Sequence, residues 1–358
     1  MKAIDLHHHY VPPQLIEETQ RHGKALGVGV TEINGSYAFS FDSSKPHRLQ
    51  PPLMDVDKRL EIMDQGQVAL ATLEANTNSL GYRQSGAHGE GWSKLYNECV
   101  NELVKARPDR FVGMATVPLQ DATRAAQVLE DAVTRLKFRG AFIGTNVNGR
   151  YYNTKDFDPF WAKAQELDVL IVMHPEYIAG AERMTEFGLN AVCGNPADST
   201  LSLGYMLFSG VFDRFPDLKL CALHGGGFLP YHLGRFDKEF ITGKKVRPSH
   251  SEQTPSAYLK NLYFDTLVYD VDTLEFLKAK VGTDKLLLGT DYPYTLGDWM
   301  GVEKAARATA GRPYDRPSPK SPPLNRTRTT GTVGTTETDL SVVLNVLNEF
   351  KCSAIFSH

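Results

Sequence analysis

Along most of the chain, stretches whose apolar residues have helical spacing alternate with short strand-like apolar runs. From residue 56 onward, stretches with apolar residues at helical spacing are followed by short runs rich in Val, Ile, Leu and Phe. The helix-like stretches are 57–64, 92–106, 122–136, 157–167, 199–208, 229–240 and 271–280. The strand-like runs, together with one at the N-terminus, are 3–7, 68–73, 111–117, 140–147, 169–174, 218–224, 262–266 and 285–291. Several of these runs are apolar throughout, which is typical of parallel strands covered on both faces. The alternation predicts an α/β fold, a (β/α)8 TIM barrel, with a doubly wound open sheet as the alternative.

Two segments in the N-terminal part of the chain depart from this alternation. Pro12 and Pro13 break the first strand, so a loop facing the site is expected to begin there. Residues 27–50 are rich in Gly and Ser and carry an aromatic residue at every second position within 36–41. This pattern predicts a small β insertion after strand 1, over the mouth of the barrel.

The C-terminal part of the chain has a different composition. Residues 311–338 are crowded with Pro, Ser, Thr, Arg and Gly, which predicts a disordered linker. Residues 339–358 begin with apolar positions at helical spacing and predict a C-terminal helix, either docked on the barrel or loose. The barrel itself is expected to span residues 1–310.

Charge and cysteine content narrow the class of protein. The net charge of -3 over 358 residues argues against a nucleic-acid partner. The four cysteines are widely spaced without a CxxC pair, so neither a disulfide framework nor a thiolate zinc site is expected. No apolar run is long enough to cross a bilayer, and the N-terminus lacks a signal-peptide pattern. We therefore expect a cytoplasmic protein without a membrane partner.

Polar side chains end four of the eight strand-like runs. His7 and His9 close the first run, His174 ends the fifth, His224 the sixth and Asp291 the eighth. In a parallel barrel the active site forms at the C-terminal ends of the strands, so these side chains are expected on one rim. A single such residue is more often a loop contact or a helix cap. Five of them together indicate a functional site.

The first run sets the geometry of that site. Alternate side chains of a strand share a face, so His7 and His9 project together, about 6 to 7 Å apart along the strand, while His8 points away. Three consecutive histidines near a terminus also fit a polyhistidine remnant. The other strand-end residues favour the metal-binding interpretation.

Three imidazoles and one carboxylate suit a zinc ion or another divalent ion such as Mn²⁺. We assign His7, His9, His174 and Asp291 as ligands, and His224 as the catalytic acid or base. A metal ion would lower the pKa of a bound water from about 15.7 to about 7. Arg235, in the helix-like run after His224, is a candidate clamp for a substrate carboxylate, although an ordinary surface arginine is equally compatible.

At these residues the chain resembles the amidohydrolase superfamily. The resemblance is carried by Ile-Asp-Leu-His-His-His at 4–9, His174-Pro175, the segment 210–219, His224 with three following glycines, and Leu-Gly-Thr-Asp-Tyr-Pro at 288–293. It extends over about residues 1 to 305 and is strongest to the aminocarboxymuconate-semialdehyde decarboxylase branch.

The resemblance implies a distorted (β/α)8 barrel, one zinc or similar ion and non-oxidative loss of CO2. It also implies a homodimer in which Arg235 reaches the site of the neighbouring copy. The family's ligands fall on the four residues assigned above, and its catalytic histidine falls on His224. Where that branch carries bulky aromatic residues after the third histidine ligand, this chain has Glu176 and Ala191, so a differently shaped pocket is expected. The tail after about residue 308 also lacks the family's closing helix.

These observations lead to a metal-dependent decarboxylase acting on a small unsaturated or aromatic carboxylic acid. Asp291 is a second candidate for delivering the proton. Two other functions fit the same residues: a hydrolase or hydratase acting on a lactone, amide or enol, and a non-catalytic barrel in which the imidazoles are structural.

Overall fold

The computed structural model describes residues 3–42, 44–243 and 249–301, and the predicted alternation of strands and helices is confirmed there. Every pairing between the barrel strands is parallel. The barrel strands, in chain order, are β1 (Ala3–Asp5), β5 (Val68–Leu73), β6 (Phe111–Gly113), β7 (Ala115–Thr116), β8 (Gly140–Gly144), β9 (Leu170–His174), β10 (Lys219–Ala222), β11 (Leu262–Asp265) and β12 (Leu286–Leu287). They form a three-stranded sheet, β1-β5-β6, and a six-stranded sheet that runs from β7 to β12. Since β6 and β7 are separated only by Met114, they occupy one position of the barrel.

Backbone hydrogen bonds outside the regular strands join the end of the chain's last strand to its first. Leu6 N donates to Leu288 O at 2.8 Å, and His9 N donates to Tyr292 O at 2.8 Å. In the opposite direction, Asp291 N donates to His7 O at 2.9 Å. The eight-stranded arrangement is therefore a distorted (β/α)8 barrel, and the segments that carry His7, His9 and Asp291 are bonded side by side.

Helices follow the strands on the outside of the barrel, and several begin at a side chain that caps them. Asp55 accepts from Lys58 N at 2.9 Å, and Asp121 accepts from Arg124 N at 3.1 Å, which satisfies amides that have no partner within the helix. The helices are α1 (Pro13–His22), α2 (Val56–Gln65), α3 (Gly86–Ala106), α4 (Ala122–Thr134), α5 (Asp158–Glu166), α6 (Asn195–Phe208), α7 (Val211–Arg214), α8 (Leu229–Gly243) and α9 (Val271–Val281).

The predicted insertion after strand 1 is a small antiparallel sheet. Its strands are β2 (Val28–Ile33), β3 (Ser36–Phe41) and β4 (His47–Arg48). Phe39 and Phe41 pack edge-on against Trp92 of α3, with ring centroids 5.2 and 5.4 Å apart. This apolar contact fixes the insertion on the barrel.

The segment after Pro12 was expected to be a loop, but α1 begins directly at Pro13. Proline is tolerated in the first turn of a helix, where its missing N–H would have had no partner. Leu15 and Ile16 are buried on the inner face of α1, which supplies the packing that stabilises so short a helix.

The predicted linker 311–338 and C-terminal helix 339–358 lie outside the described residues, as does the C-terminal boundary of the barrel at 310. Among the helices that the structure describes, none has both the length and the apolar character that crossing a bilayer requires.

Candidate metal centre

Four of the predicted residues meet at one end of the barrel. The candidate ligand atoms of His7, His9, His174 and Asp291 all lie within 4.8 Å of one another, and all four residues are buried. His7 and His9 follow β1, His174 is the last residue of β9, and Asp291 follows β12. We call these four residues the metal group. Their convergence follows from the parallel arrangement, which brings the carboxyl ends of the strands to the same rim.

Each imidazole of the metal group is oriented by a hydrogen bond from its Nδ1 atom. Nδ1 of His7 lies 2.9 Å from Oδ2 of Asp265, and Nδ1 of His9 lies 3.0 Å from the carbonyl oxygen of Ala75. Nδ1 of His174 lies 2.8 Å from the carbonyl oxygen of Pro175. Because these oxygens accept a hydrogen bond from Nδ1–H, Nε2 of each ring is the nitrogen left to bind a cation.

The protonation of the metal group is set by burial and by its carboxylate. Burial opposes ionisation of Asp291, but the charge of His7 and hydrogen bonds from the imidazoles hold the pKa of this carboxyl well below its usual range. Burial would lower the pKa of His7, yet the carboxylates of Asp291 and Asp265 raise it to about 10. Burial lowers the pKa of His9, and burial together with the positive charge of the neighbouring imidazoles lowers that of His174 further. Positive charge is thus favoured beside Asp291.

The residues fit a divalent cation. Nε2 of His7 and Nε2 of His9 each lie 3.1 Å from Oδ1 of Asp291. Nε2 of His7 is buried and makes no hydrogen bond to any described residue. A buried polar atom without a partner is costly unless a ligand satisfies it, and nitrogen and carboxylate donors suit zinc and similar ions.

His224 borders the metal group without belonging to it. Its ring centroid lies 5.2 Å from that of His7 and 4.9 Å from that of His174, and its Nε2 is 3.7 Å from Oδ2 of Asp291. The backbone of His224 is left-handed, with φ at 54°, and Gly225 continues the turn with φ at 60°. A Cβ atom at Gly225 would approach Val268 to 2.4 Å, so glycine is required for this turn.

A cavity of about 720 Å³ opens onto the metal group, lined by His174 and Asp291 among others. This volume is within the range of small-molecule sites. Glu176 and Ala191, the two predicted departures from the resembling branch, both line the cavity. Burial raises the pKa of Glu176 to about 8, against the opposing charge of Arg83.

Arg235 is not brought to this site within one chain. It is exposed on α8 and is absent from the described residues that line the cavity. His8, predicted to face away, makes a 2.8 Å contact between its Nδ1 and Oδ2 of Asp5, and its ring stacks on Tyr292 at 4.7 Å.

Three residues of the site were not predicted. Asp265 ends β11 and supports His7. Its signal in the sequence is a carboxylate one residue before the end of the seventh strand-like run, 262–266. Glu74, after β5, accepts from His8 N at 2.5 Å. Arg59 of α2 is fully buried, and its Nη2 donates to the carbonyl oxygen of His9 at 2.7 Å. Arg59 lies three residues after Val56 and four before Met63, so helical spacing places it on the apolar face of α2.

Glu74 leads to a prediction about pH and stability. Burial raises the pKa of its carboxyl to about 8, while hydrogen bonds from Thr72 and His8 N oppose the rise. Because the folded-state pKa lies above the unfolded value of about 4.3, the folded chain binds more protons between these values. Its contribution to stability is therefore fully present below about pH 4 and is lost as the pH rises through about 8.

We expect Glu74→Gln, which cannot ionise, to gain stability relative to the original chain between about pH 5 and 8, by a few kcal/mol. Urea unfolding of both proteins across this pH range measures the difference. The matched control is Glu61→Gln on the surface of α2, for which the difference should stay nearly constant. A pH-independent difference for Glu74→Gln would contradict a neutral buried carboxyl.

The chain is similar in sequence and in fold to several known proteins. The model of the family described as Amidohydrolase matches residues 4–320. A 2-amino-3-carboxymuconate-6-semialdehyde decarboxylase of Dictyostelium discoideum is 28% identical over 304 residues, covering 82% of this chain and 82% of the relative. A gamma-resorcylate decarboxylase of Polaromonas sp. strain JS666 is 27% identical, over 74% of this chain and 87% of the relative. A crystal structure of a dihydroxybenzoic acid decarboxylase from Polaromonas sp. JS666, with bound manganese and an inhibitor, shares the fold with a TM-score of 0.72 at 22% identity, and the match covers 100% of both chains.

Proposed function

This chain belongs to the amidohydrolase family, and from that premise we propose that it is a metal-dependent decarboxylase of a small unsaturated or aromatic carboxylic acid. The observation that carries the proposal is the metal group of three imidazoles and one carboxylate at the wall of a cavity of about 720 Å³. Two sequence relatives are named as decarboxylases, one of aminocarboxymuconate semialdehyde and one of gamma-resorcylate, which supports the same class of reaction.

The proposed cofactor is Zn²⁺ or another divalent ion such as Mn²⁺, held by His7, His9, His174 and Asp291. Manganese in the related Polaromonas crystal structure supports the second choice. When bound, the ion would supply positive charge that holds and orients the negatively charged oxygen atoms of the substrate.

His224 then transfers one proton to the substrate. In the proposed reaction, the carbon that bears the carboxylate gains a proton from His224, using an electron pair of the adjacent unsaturated system. The bond from this carbon to the carboxylate then breaks, its electron pair restores the unsaturation, and CO2 leaves. His224 recovers a proton from solvent. Imidazole suits this role because it is the side chain that most often transfers protons in enzyme catalysis.

Asp291 is the alternative proton donor. Its Oδ2 lies 3.7 Å from Nε2 of His224, so a small movement would let a proton pass between the two side chains. The strongly lowered pKa of Asp291 favours His224 as the donor.

A screen for CO2 release tests the proposal. Protein stripped of metal and reloaded with Zn²⁺ or Mn²⁺ is incubated with unsaturated and hydroxylated aromatic carboxylic acids, and CO2 is measured directly. We expect release that chelation abolishes and metal restores. A hydrolase or hydratase acting on a lactone, amide or enol would instead consume its substrate without forming CO2. Absence of both activities in metal-loaded protein would favour a non-catalytic barrel.

We further propose a homodimer in which Arg235 of each copy binds the substrate carboxylate in the other copy's cavity. Arg235 is exposed on α8. Tyr231, four residues earlier and thus on the same helix face, is 75% exposed, so association would bury apolar surface there. Guanidinium can hold a carboxylate through two parallel hydrogen bonds.

Arg235→Ala is expected to raise KM about tenfold, because a charge-assisted contact to the substrate is lost. Steady-state kinetics of CO2 release measures this effect, and sedimentation reports whether the protein is dimeric. Lys280→Ala, which removes an exposed positive charge from α9, is the control and should leave KM unchanged. A monomer whose KM is insensitive to Arg235 would contradict the proposal.

We also propose that the protein resides in the cytoplasm. Cys99, Cys193 and Cys221 are all unpaired in the described part of the chain, which fits a reducing compartment. Fractionation of the source cells would test this location, and recovery of the protein in an oxidising compartment would contradict it.

A further inference from the structure

Asp265 contacts both the metal group and the turn that carries His224. It is the last residue of β11 and is fully buried. One carboxylate oxygen, Oδ2, lies 2.9 Å from Nδ1 of His7 in the metal group. The other, Oδ1, accepts from the backbone N–H of Gly225 at 2.7 Å and from that of Leu267 at 3.4 Å. A single side chain therefore links a metal-group imidazole to the turn that carries His224.

The surrounding backbone leaves room for this link. A Cβ atom at Gly289 would lie 2.7 Å from Oδ2 of Asp265 and 3.0 Å from Cβ of His7. Any larger residue at position 289 would push the carboxylate and the imidazole apart. On the other side, the left-handed conformations of His224 and Gly225 aim the Gly225 N–H at Oδ1. Both contacts thus depend on local features on either side of Asp265.

We infer that Asp265 is a positioning residue that couples the orientation of His7 to the placement of His224. The inference rests on the proposed metal site. By accepting a hydrogen bond from Nδ1–H, the carboxylate keeps Nε2 of His7 directed at the centre of the metal group. By accepting from Gly225 N–H, it holds the turn that sets His224 beside Asp291.

Only an acceptor at both oxygens can make these two bonds at once. An asparagine at position 265 would present one acceptor and one donor. If its NH2 faced His7, the ring would need to accept at Nδ1 and carry its proton on Nε2, where the cation binds. If its NH2 faced Gly225, two donors would meet and the turn would shift. Asp265→Asn therefore breaks one contact or the other while it preserves the shape of the side chain.

The test compares Asp265→Asn with the original protein and with Asp198→Asn. Asp198 is an equally buried carboxylate that accepts from Tyr151 Oη at 2.6 Å and Ala179 N at 3.2 Å. Zn²⁺ affinity is measured by chelator competition without substrate, Tm by thermal unfolding, and the tautomer of His7 by ¹⁵N imidazole NMR. Turnover at saturating metal is measured separately.

For Asp265→Asn we expect Zn²⁺ affinity to fall about 10- to 100-fold, as is common when a partner of a metal ligand is lost. Turnover should stay reduced when metal is saturating, because the His224 turn is no longer held. Asp198→Asn should change Tm with Zn²⁺ affinity within about threefold of the original. Gly289→Ala, which keeps the carboxylate but crowds it, should weaken Zn²⁺ binding as well.

The inference is overturned if Asp265→Asn keeps both Zn²⁺ affinity within threefold of the original protein and full turnover at saturating metal, or if Asp198→Asn weakens binding equally. Zn²⁺ affinity and the tautomer of His7 are measured without substrate. Failure of the decarboxylase proposal can therefore be distinguished from failure of the inference about Asp265. If the protein releases no CO2 but Asp265→Asn still weakens Zn²⁺ binding, the decarboxylase proposal is contradicted and the inference about Asp265 is not.

Discussion

His174→Ala is expected to weaken Zn²⁺ or Mn²⁺ binding more than about 100-fold and to abolish CO2 release. Loss of an outer partner of a metal ligand commonly costs 10- to 100-fold in affinity, so loss of a ligand itself should cost more. His174 supplies one of the three imidazoles, and burial with neighbouring positive charge keeps it neutral and able to bind a cation. Chelator competition measures affinity, and CO2 release measures activity.

The matched control for this variant is His8→Ala. His8 is also buried and adjoins two residues of the metal group in sequence, but its ring stacks on Tyr292 and bonds to Asp5. The control should lower Tm while leaving metal affinity within about threefold. Equal metal affinity in His174→Ala and the original protein would show that the four residues do not form a shared site.

His224→Asn should retain the metal and lose turnover by about 10²- to 10⁴-fold, the usual contribution of a general acid or base. Asparagine is chosen because His224 has φ at 54°, a conformation that asparagine tolerates better than alanine does. Loss of turnover with metal affinity unchanged would distinguish a proton-transfer role from a ligand role. Metal content and kcat are therefore measured on the same preparation.

His232→Asn on the exposed surface of α8 is the control for the second prediction, and it should leave both metal content and kcat unchanged. If His224→Asn lost its metal, His224 would be a ligand and the assignment of the metal group would be wrong. If it kept full turnover, the proton would have to come from another group, with Asp291 as the nearest candidate.

Much of this arrangement could be predicted because polar residues that end parallel strands must share a rim. That rule placed His7, His9, His174, His224 and Asp291 together without any knowledge of distances. Asp265 stands one residue before the end of the seventh run, 262–266, because the observed strand β11 ends one residue earlier than the pattern predicts.

Other features depend on contacts that no local pattern contains. Helical spacing puts Arg59 on the apolar face of α2, but no local pattern shows that its guanidinium is enclosed between the rings of Tyr10 and Tyr292, at 5.1 and 4.9 Å from their centroids. The eighth strand was predicted over 285–291, whereas β12 spans only Leu286–Leu287. Beyond β12 the backbone bonds to the segment after β1 and turns at Asp291, where φ is 56°. Such irregular closure arises from tertiary contacts and is absent from hydrophobic periodicity.

The most direct measurement is anomalous diffraction at the zinc edge from crystals of the zinc-loaded protein. We expect one zinc ion per chain, bound by His7, His9, His174 and Asp291 at about 2.0 to 2.2 Å. Zinc bound elsewhere, or side chains of His174 and Asp291 turned away from His7 and His9, would contradict it.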